Sequence, residues 1–232
     1  MLLLTNLALL FSSTPLEGPE QMALDDLLLT KHSSPLLRSY CWKNPWVTFG
    51  YFQEYNRVKS LFPRHQLVRR SSGGGSLDHD GDWTFSLLLP SQERTSMLSP
   101  LHFYQQLHSM IVKILHDWNI PASLLTEQHV RRGDACFLSP ALYDIMLGDK
   151  KIVGGAQRRH AGSLLYQGSL RLPHEYQRPL VDDSSWRQKF FLSLAACLST
   201  KVTLEQEDPR LLKEAEELAS RRYRTIAWRE KR

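Results

Sequence analysis

Cysteine is scarce in this chain: Cys41, Cys136 and Cys197 are the three in 232 residues, widely spaced and never in a CxxC pair. That excludes a disulfide framework and the usual paired-thiolate metal sites. No apolar run is long enough to cross a bilayer, and no stretch is low in complexity. The apolar start, residues 1–11, has no Lys or Arg ahead of it, so it lacks the charged region that opens a secretory leader. It reads instead as a first strand, in a cytoplasmic protein. Neither the GxxxxGK[ST] order of a P-loop nor GxGxxG is present, and no HExxH marks a metal site. Charge leans positive, 29 Lys and Arg against 24 Asp and Glu, a net +5. No helix-turn-helix, zinc-finger or RNP-type motif accompanies that excess, so it does not point to nucleic acid. An acidic protein surface would be steered as well.

What is present begins with residues 69–86, RRSSGGGSLDHDGDWTFS. Gly73, Gly74 and Gly75 can take positive φ and approach a ligand closely. Their N–H groups, with Arg70 beside them, would suit phosphate or carboxylate oxygens. The same residues also fit a flexible hairpin between two apolar strands, 66–68 and 84–89. A second block, 133–170, turns at Gly148-Asp149 into Lys150, Lys151, two glycines and Gln157-Arg158. It reads either as an exposed basic hairpin, with Lys151 an exposed turn lysine, or as cation and backbone gathered at a site. Cys136 is by composition either a buried inert thiol or a nucleophile.

The remaining chain alternates strand and helix patterns. Pro19 opens a helix over 19–31 with Leu24, Leu27 and Leu28 inward, where Asp25 and Asp26 read as solvated or capping residues. Strands over 36–42 and 46–52 are joined by a Lys-Asn-Pro turn, with Trp42, Trp46, Tyr51 and Phe52 as core and wall. Cys41 in the first of them reads as a small buried hydrophobe. Ser99-Pro100 starts a helix carrying Tyr104, Leu107, Ile111, Ile114, Leu115 and Trp118, and His102, His108 and His116 read as surface residues. Helices over 185–198 and from 208 close the chain. Together these predict one α+β domain over 1–232, a mixed β-sheet with packed helices.

The motifs resemble a known family. Residues 70–80, RSSGGGSLDHD, resemble the R-[PR]-[ST]-G-G-G-A-V-x-H-D block of the lipoate–protein ligase and octanoyltransferase family. Residues 21–26, QMALDD, are similar to its N-M-A-L-D-E segment, and Lys151 to Arg158 to its K-[IV]-x-G-x-A-Q-R. Ala135-Cys136-Phe137 with Pro140 resembles the A-C-F-x-x-P loop of the branch that uses a cysteine nucleophile. In SLLYQGSL, Gln167 stands where many members have His, and Gln can be neither base nor cation. The similarity runs to YRTIAW, 223–228.

The resemblance implies the biotin/lipoyl-ligase catalytic fold with no C-terminal accessory domain. It implies transfer of an octanoyl or lipoyl group to a lysine of a lipoyl domain, through a Cys136 thioester, with Lys151 contacting the acyl carbonyl. Arg70, Ser72, Gly73, Gly74, Gly75, His79, Gly154, Ala156 and Gln157 would bind the acyl substrate. His79 equally fits a hydrogen-bonded loop histidine. The implied donor is acyl carrier protein. The acceptors are lipoyl domains of 2-oxoacid dehydrogenase complexes or the glycine cleavage H protein, with no nucleic acid, membrane or metal. No cofactor is needed for that transfer. The alternatives are a lipoate–protein ligase requiring ATP and Mg, and a non-catalytic acyl- or partner-binding protein.

Overall fold

The computed structural model describes residues 3–127, 140–173, 176 and 185–231. Its large sheet is built from β1 (Leu7–Phe11), β2 (Leu36–Tyr40), β6 (Trp83–Leu89), β7 (Ser123–Leu124), β8 (Ile145–Leu147), β9 (Lys150–His160), β10 (Ser163–Leu170) and β11 (Val202–Glu205). A small sheet holds β3 (Trp46–Phe49), β4 (Gln66–Arg69) and β5 (Leu77–Asp78), in the order β4-β3-β5, with the short helix α2 (Tyr55–Leu61) between β3 and β4 in the chain. The large sheet runs β11-β1-β2-β6-β10-β9-β8-β7. β1 is parallel to both of its neighbours and the other pairs are antiparallel.

The two central strands, β6 and β10, are buried along nearly their whole length, as strands covered by helices on both faces must be. Side-chain alternation divides the core. Leu7 and Leu9 of β1 pack with Leu107 and Ile111 of α3 (Pro100–Asp117) and Phe190 and Leu194 of α4 (Ser185–Leu198). Ala8 and Leu10 face the other way, onto Met22 and Leu28 of α1 (Gly18–Lys31) and onto Ala215, Tyr223 and Trp228 near the C-terminus. Local signals start the helices. Ser99 Oγ accepts the His102 N–H at 3.3 Å ahead of Pro100, and Asp208 accepts the Arg210 N–H at 2.9 Å ahead of α5 (Pro209–Leu218).

Neither the strands flanking the Lys-Asn-Pro turn nor those flanking the glycine block pair as a hairpin. β2 is already paired on both edges, by β1 and β6, so β3 cannot join it and enters the small sheet. The glycine-rich segment likewise joins strands of different sheets, because β4 pairs with β3 while β6 lies between β2 and β10. That segment therefore spans the gap between the sheets. The C-terminal helices are tied to the small sheet by Arg69. Its buried guanidinium donates to the carbonyls of Tyr51 (2.6 Å), Gln53 (2.8 Å) and Arg229 (2.9 Å), and Trp228 Nε1 returns a bond to Arg69 O at 3.1 Å.

Candidate active site

Two residues of the 70–76 loop, Arg70 and Gly74, face β9 and β10 across a cavity of about 30 Å³, whereas Ser72, Gly73 and Gly75 of the expected binding set do not line it. Arg70 and Gly74 form one wall, Lys151, Gly154, Gly155 and Ala156 the other, with Met22, Trp42 and Gln167 between them. Gly74 has φ +84°, the left-handed region that glycine adopts without penalty. Its carbonyl lies so close to Gly50, just after β3, that a Cβ at 50 would overlap it. Arg70 grips the loop from inside: Nη2 donates to the carbonyls of Gly73 (2.9 Å) and Gly75 (2.8 Å), and Nη1 to Thr48 Oγ1 (2.7 Å). The arginine beside the glycines thus shapes the loop as well as lining the cavity.

His79 continues this chain. Its Nδ1–H donates to Asp82 Oδ2 at 2.7 Å, and Nε2 accepts the Thr48 hydroxyl at 2.8 Å, a tautomer set by the neighbouring acceptors. Its ring stacks on Trp42 with centroids 4.2 Å apart. Burial opposes the Asp82 charge, but His79 and the hydroxyls of Ser169 (2.5 Å) and Thr84 (2.9 Å) outweigh it and hold the carboxyl below its ordinary range. The neighbour in the motif, Asp80, is exposed.

Strand alternation separates the two lysines: Lys150 is exposed and Lys151 buried. Lys151 is thus not the exposed turn lysine of the sequence reading. Its Nζ lies 2.7 Å from Asp144 Oδ2, with the two side chains 3% and 0% exposed. A Cβ at Gly154 would fall inside 3 Å of Lys151 Cε and Nζ, so the glycine makes room for the lysine tail. Asp144 is held in turn by the Tyr104 hydroxyl at 2.5 Å and the Ala141 N–H at 2.6 Å, and Tyr104 accepts the Gly155 N–H at 2.9 Å. Ala156 lines the cavity, but Gln157 turns to the other side, where Nε2 donates to Pro100 O at 2.9 Å. Nothing in the spacing singled out Tyr104 or Asp144. Tyr104 had the pattern of a core helix position.

Asp25 and Asp26 are buried, against the expectation of solvated or capping roles. Successive helical residues point about 100° apart, so each enters its own network. Asp25 accepts Ser86 Oγ (2.6 Å), Gln167 Nε2 (2.8 Å) and Arg38 Nη1 (2.8 Å), and burial raises its carboxyl despite Arg38. Gln167 Oε1 accepts the Ser72 hydroxyl at 2.6 Å, so the amide standing in for histidine bridges α1 to the glycine loop. Asp26 accepts Ser71 (2.8 Å), Arg158 (2.6 Å), Arg222 (3.0 Å) and Tyr223 (2.5 Å), joining loop, sheet and C-terminal segment.

Three further expectations change. His108 is buried: Nδ1–H donates to Tyr143 O at 2.7 Å, Nε2 accepts the Tyr166 hydroxyl at 2.6 Å, and burial pushes its pKa down to about 3. The i+4 spacing from Tyr104 puts it on the inner face of α3. Cys41 lies beyond the end of β2, exposed, with its Sγ against Arg187. Phe52 is 67% exposed, in a turn past the end of β3. Cys136 lies outside the described residues. Among the described residues, no three His, Cys, Asp or Glu side chains gather as a metal site would require.

A mixed sheet with helices on both faces, a glycine loop and a buried strand lysine on one cavity define a catalytic domain of the lipoate-ligase type. Two solved structures share this fold. A lipoate-protein ligase A bound with ATP has TM-score 0.69 and 21% identity, covering 98% of this chain and 99% of that one. A bi-partite lipoate protein ligase from Thermoplasma acidophilum has TM-score 0.66 and 21% identity, covering 98% and 96%. The model of the lipoyl protein ligase A/B catalytic domain matches residues 17–178, and the chain belongs to that family. Similar relatives include the octanoyltransferase LipM of Oceanobacillus iheyensis, 34% identical over 69% of this chain and 62% of the relative. That of Halalkalibacterium halodurans is 30% identical over 65% and 60%. The matched region thus spans about three fifths of the length of these relatives.

Proposed function

We propose that the protein transfers an octanoyl group, or a similar acyl chain, from a carrier thioester to the lysine of a lipoyl domain. The observation that carries this reading is Lys151, paired to a buried carboxylate and facing the glycine loop across one cavity. The octanoyltransferase relatives give it its substrate class. The donor would be acyl carrier protein. The acceptor would be a lipoyl domain of a 2-oxoacid dehydrogenase complex or the glycine cleavage H protein. The net charge of +5 favours acidic surfaces on either partner.

The cavity has room for a water or two. Acyl entry therefore needs its walls to part. Met22, with an unbranched and adaptable side chain, is the lining residue suited to that movement. Lys151 would donate to the carbonyl oxygen and stabilise the charge that develops there. The thiolate of Cys136 would attack, forming a new carbon–sulfur bond as the bond to the carrier sulfur breaks and the carrier thiolate leaves. The deprotonated acceptor lysine would then form the amide and release Cys136. The flanking chain supports such an arrangement: the Ala141 N–H bonds the Asp144 carboxylate at 2.6 Å and the Leu125 N–H bonds Asp144 O at 2.9 Å, so both approaches to the Cys136 segment meet at the partner of Lys151.

Intact-protein mass spectrometry with octanoyl-acyl carrier protein, with and without ATP, tests the reading. One octanoyl adduct is expected without ATP, lost in Cys136→Ala, kept in Cys41→Ala and Cys197→Ala, and discharged by a lipoyl domain. Absence of the adduct, with lipoate transferred only when ATP is present, would replace the transferase with the ATP-dependent ligase.

A further inference from the structure

Lys151 is aimed by a carboxylate that is itself fixed on three sides. Asp144 Oδ1 accepts the Tyr104 hydroxyl, Oδ2 accepts the Ala141 N–H, and the backbone just before it is constrained. Tyr143 has φ +67°, a left-handed conformation that disfavours a residue with a Cβ. Its carbonyl accepts His108 Nδ1–H at 2.7 Å and its N–H donates to Leu125 O at 2.8 Å. Local backbone strain held by such bonds concentrates at working sites.

We propose that Asp144 and Tyr104 are positioning residues for Lys151, Asp144 keeping its amine protonated and pointed into the cavity, and Tyr104 fixing the rotation of that carboxylate. For its effect on rate this inference rests on the acyl transfer proposed above. Its effect on the charge of Lys151 does not.

The chemistry makes the protonation state matter twice. A lysine taken out of water sheds its proton more readily, and a carboxylate at 2.7 Å opposes that loss. As an ammonium, Lys151 can donate to an acyl carbonyl. As a neutral amine it would be a nucleophile beside an activated acyl group. Its nitrogen lone pair would form an amide bond to the carbonyl carbon, the thioester carbon–sulfur bond would break, and the amine proton would pass to the departing thiolate. The enzyme would then have acylated itself irreversibly. Asp144 thus suppresses a side reaction as well as placing a donor.

Among the described residues, groups from three elements face Lys151. Asp144 precedes β8. Tyr104 and His108 come from α3, and His108, with a pKa near 3, adds no charge at working pH. Arg70 lines the far wall, where its guanidinium favours loss of the proton, and His79 lines it with Nε2 accepting from Thr48. The carboxylate opposes all of these influences.

The test is titration of Lys151 by 15N NMR of its Nζ, together with peptide mapping after incubation with an octanoyl thioester. It uses Asp144→Asn and Tyr104→Phe, each checked for folding by thermal melting. In Asp144→Asn the titration midpoint should fall by at least one pH unit, and a hydroxylamine-resistant octanoyl adduct should appear on Lys151. In Tyr104→Phe, which keeps the ring and serves if the first variant does not fold, the midpoint should fall less. Its kcat should drop about tenfold, the cost of about one hydrogen bond, with KM held. An unchanged midpoint in folded Asp144→Asn, or in Tyr104→Phe if that variant stands alone, overturns the inference. With Lys151→Ala inactive, that result leaves the transferase reading standing. Full turnover by Lys151→Ala overturns both.

Discussion

Gly154→Ala adds one methyl group where Lys151 Cε and Nζ already lie, with Asp144 Oδ1 3.3 Å from the new carbon. Two responses are open. The strand can shift to accommodate the methyl, which as overpacking costs about 1–3 kcal/mol. Alternatively the lysine tail swings away and leaves Asp144, 0% exposed, short of its cation, a loss that approaches about 3–5 kcal/mol when a buried pair is fully broken. The cheaper response governs, so folding should weaken by roughly 1–3 kcal/mol. Rate should suffer far more. Restoring contact distance moves Nζ by about 1 Å, and a misplacement of that size costs about 100-fold. Urea denaturation and steady-state acyl transfer on the same preparation separate the two effects. A folded Gly154→Ala enzyme with wild-type turnover would refute the placement of Lys151 over that glycine.

Lys151→Ala should abolish transfer and, because Asp144 is left charged and buried, lower stability by about 3–5 kcal/mol in denaturant; an exposed lysine would have cost little. Gly74→Val should weaken acyl-ligand binding at matched folding, since φ +84° costs a β-branched residue about 1–2 kcal/mol or more and the new side chain crowds Ala156 and Arg70. Unchanged affinity would reduce the loop to an ordinary turn. His108 stays neutral in the fold down to about pH 3, whereas the unfolded chain protonates below about 6.5. Stability should therefore drain away as pH falls between those values, by at most roughly 5 kcal/mol. Urea melts at pH 7 and pH 4.5 should show this slope in wild type and its loss in His108→Gln, and equal slopes in the two would show that His108 is not held neutral.

Elements with strong local patterns were legible in the sequence. Residues 185–198 form their helix with the expected bounds, because apolar residues at helical spacing carry their own assignment. The glycine block and the lysine strand do meet across one cavity. The polar interior was not legible, because burial of a charged residue depends on partners far along the chain. Asp25 finds Gln167 142 positions away, and Asp26 finds Arg222 196 positions away. His108 had a polar neighbour's pattern and a core residue's place for the same reason. The motif ends at Asp80, beside His79 in sequence, whereas the carboxylate that reaches His79 is Asp82, across the turn.

The parallel pairing of β1 with β11 bears on how the chain is made. Leu7 of the first strand pairs with Val202, 195 positions later. At about 5–20 residues per second of synthesis, those partners emerge roughly 10–40 s apart. One edge of β1 is closed early by β2, through Ala8 and Leu36. The other, along Leu-Ala-Leu-Leu-Phe, stays open on the ribosome until residues 202–205 emerge, with its N–H and C=O groups available to any other strand. Pairing so distant also slows folding after release, because a long loop must close before the contact forms. The nascent chain therefore carries an open edge at β1, and that exposure ends when β11 docks.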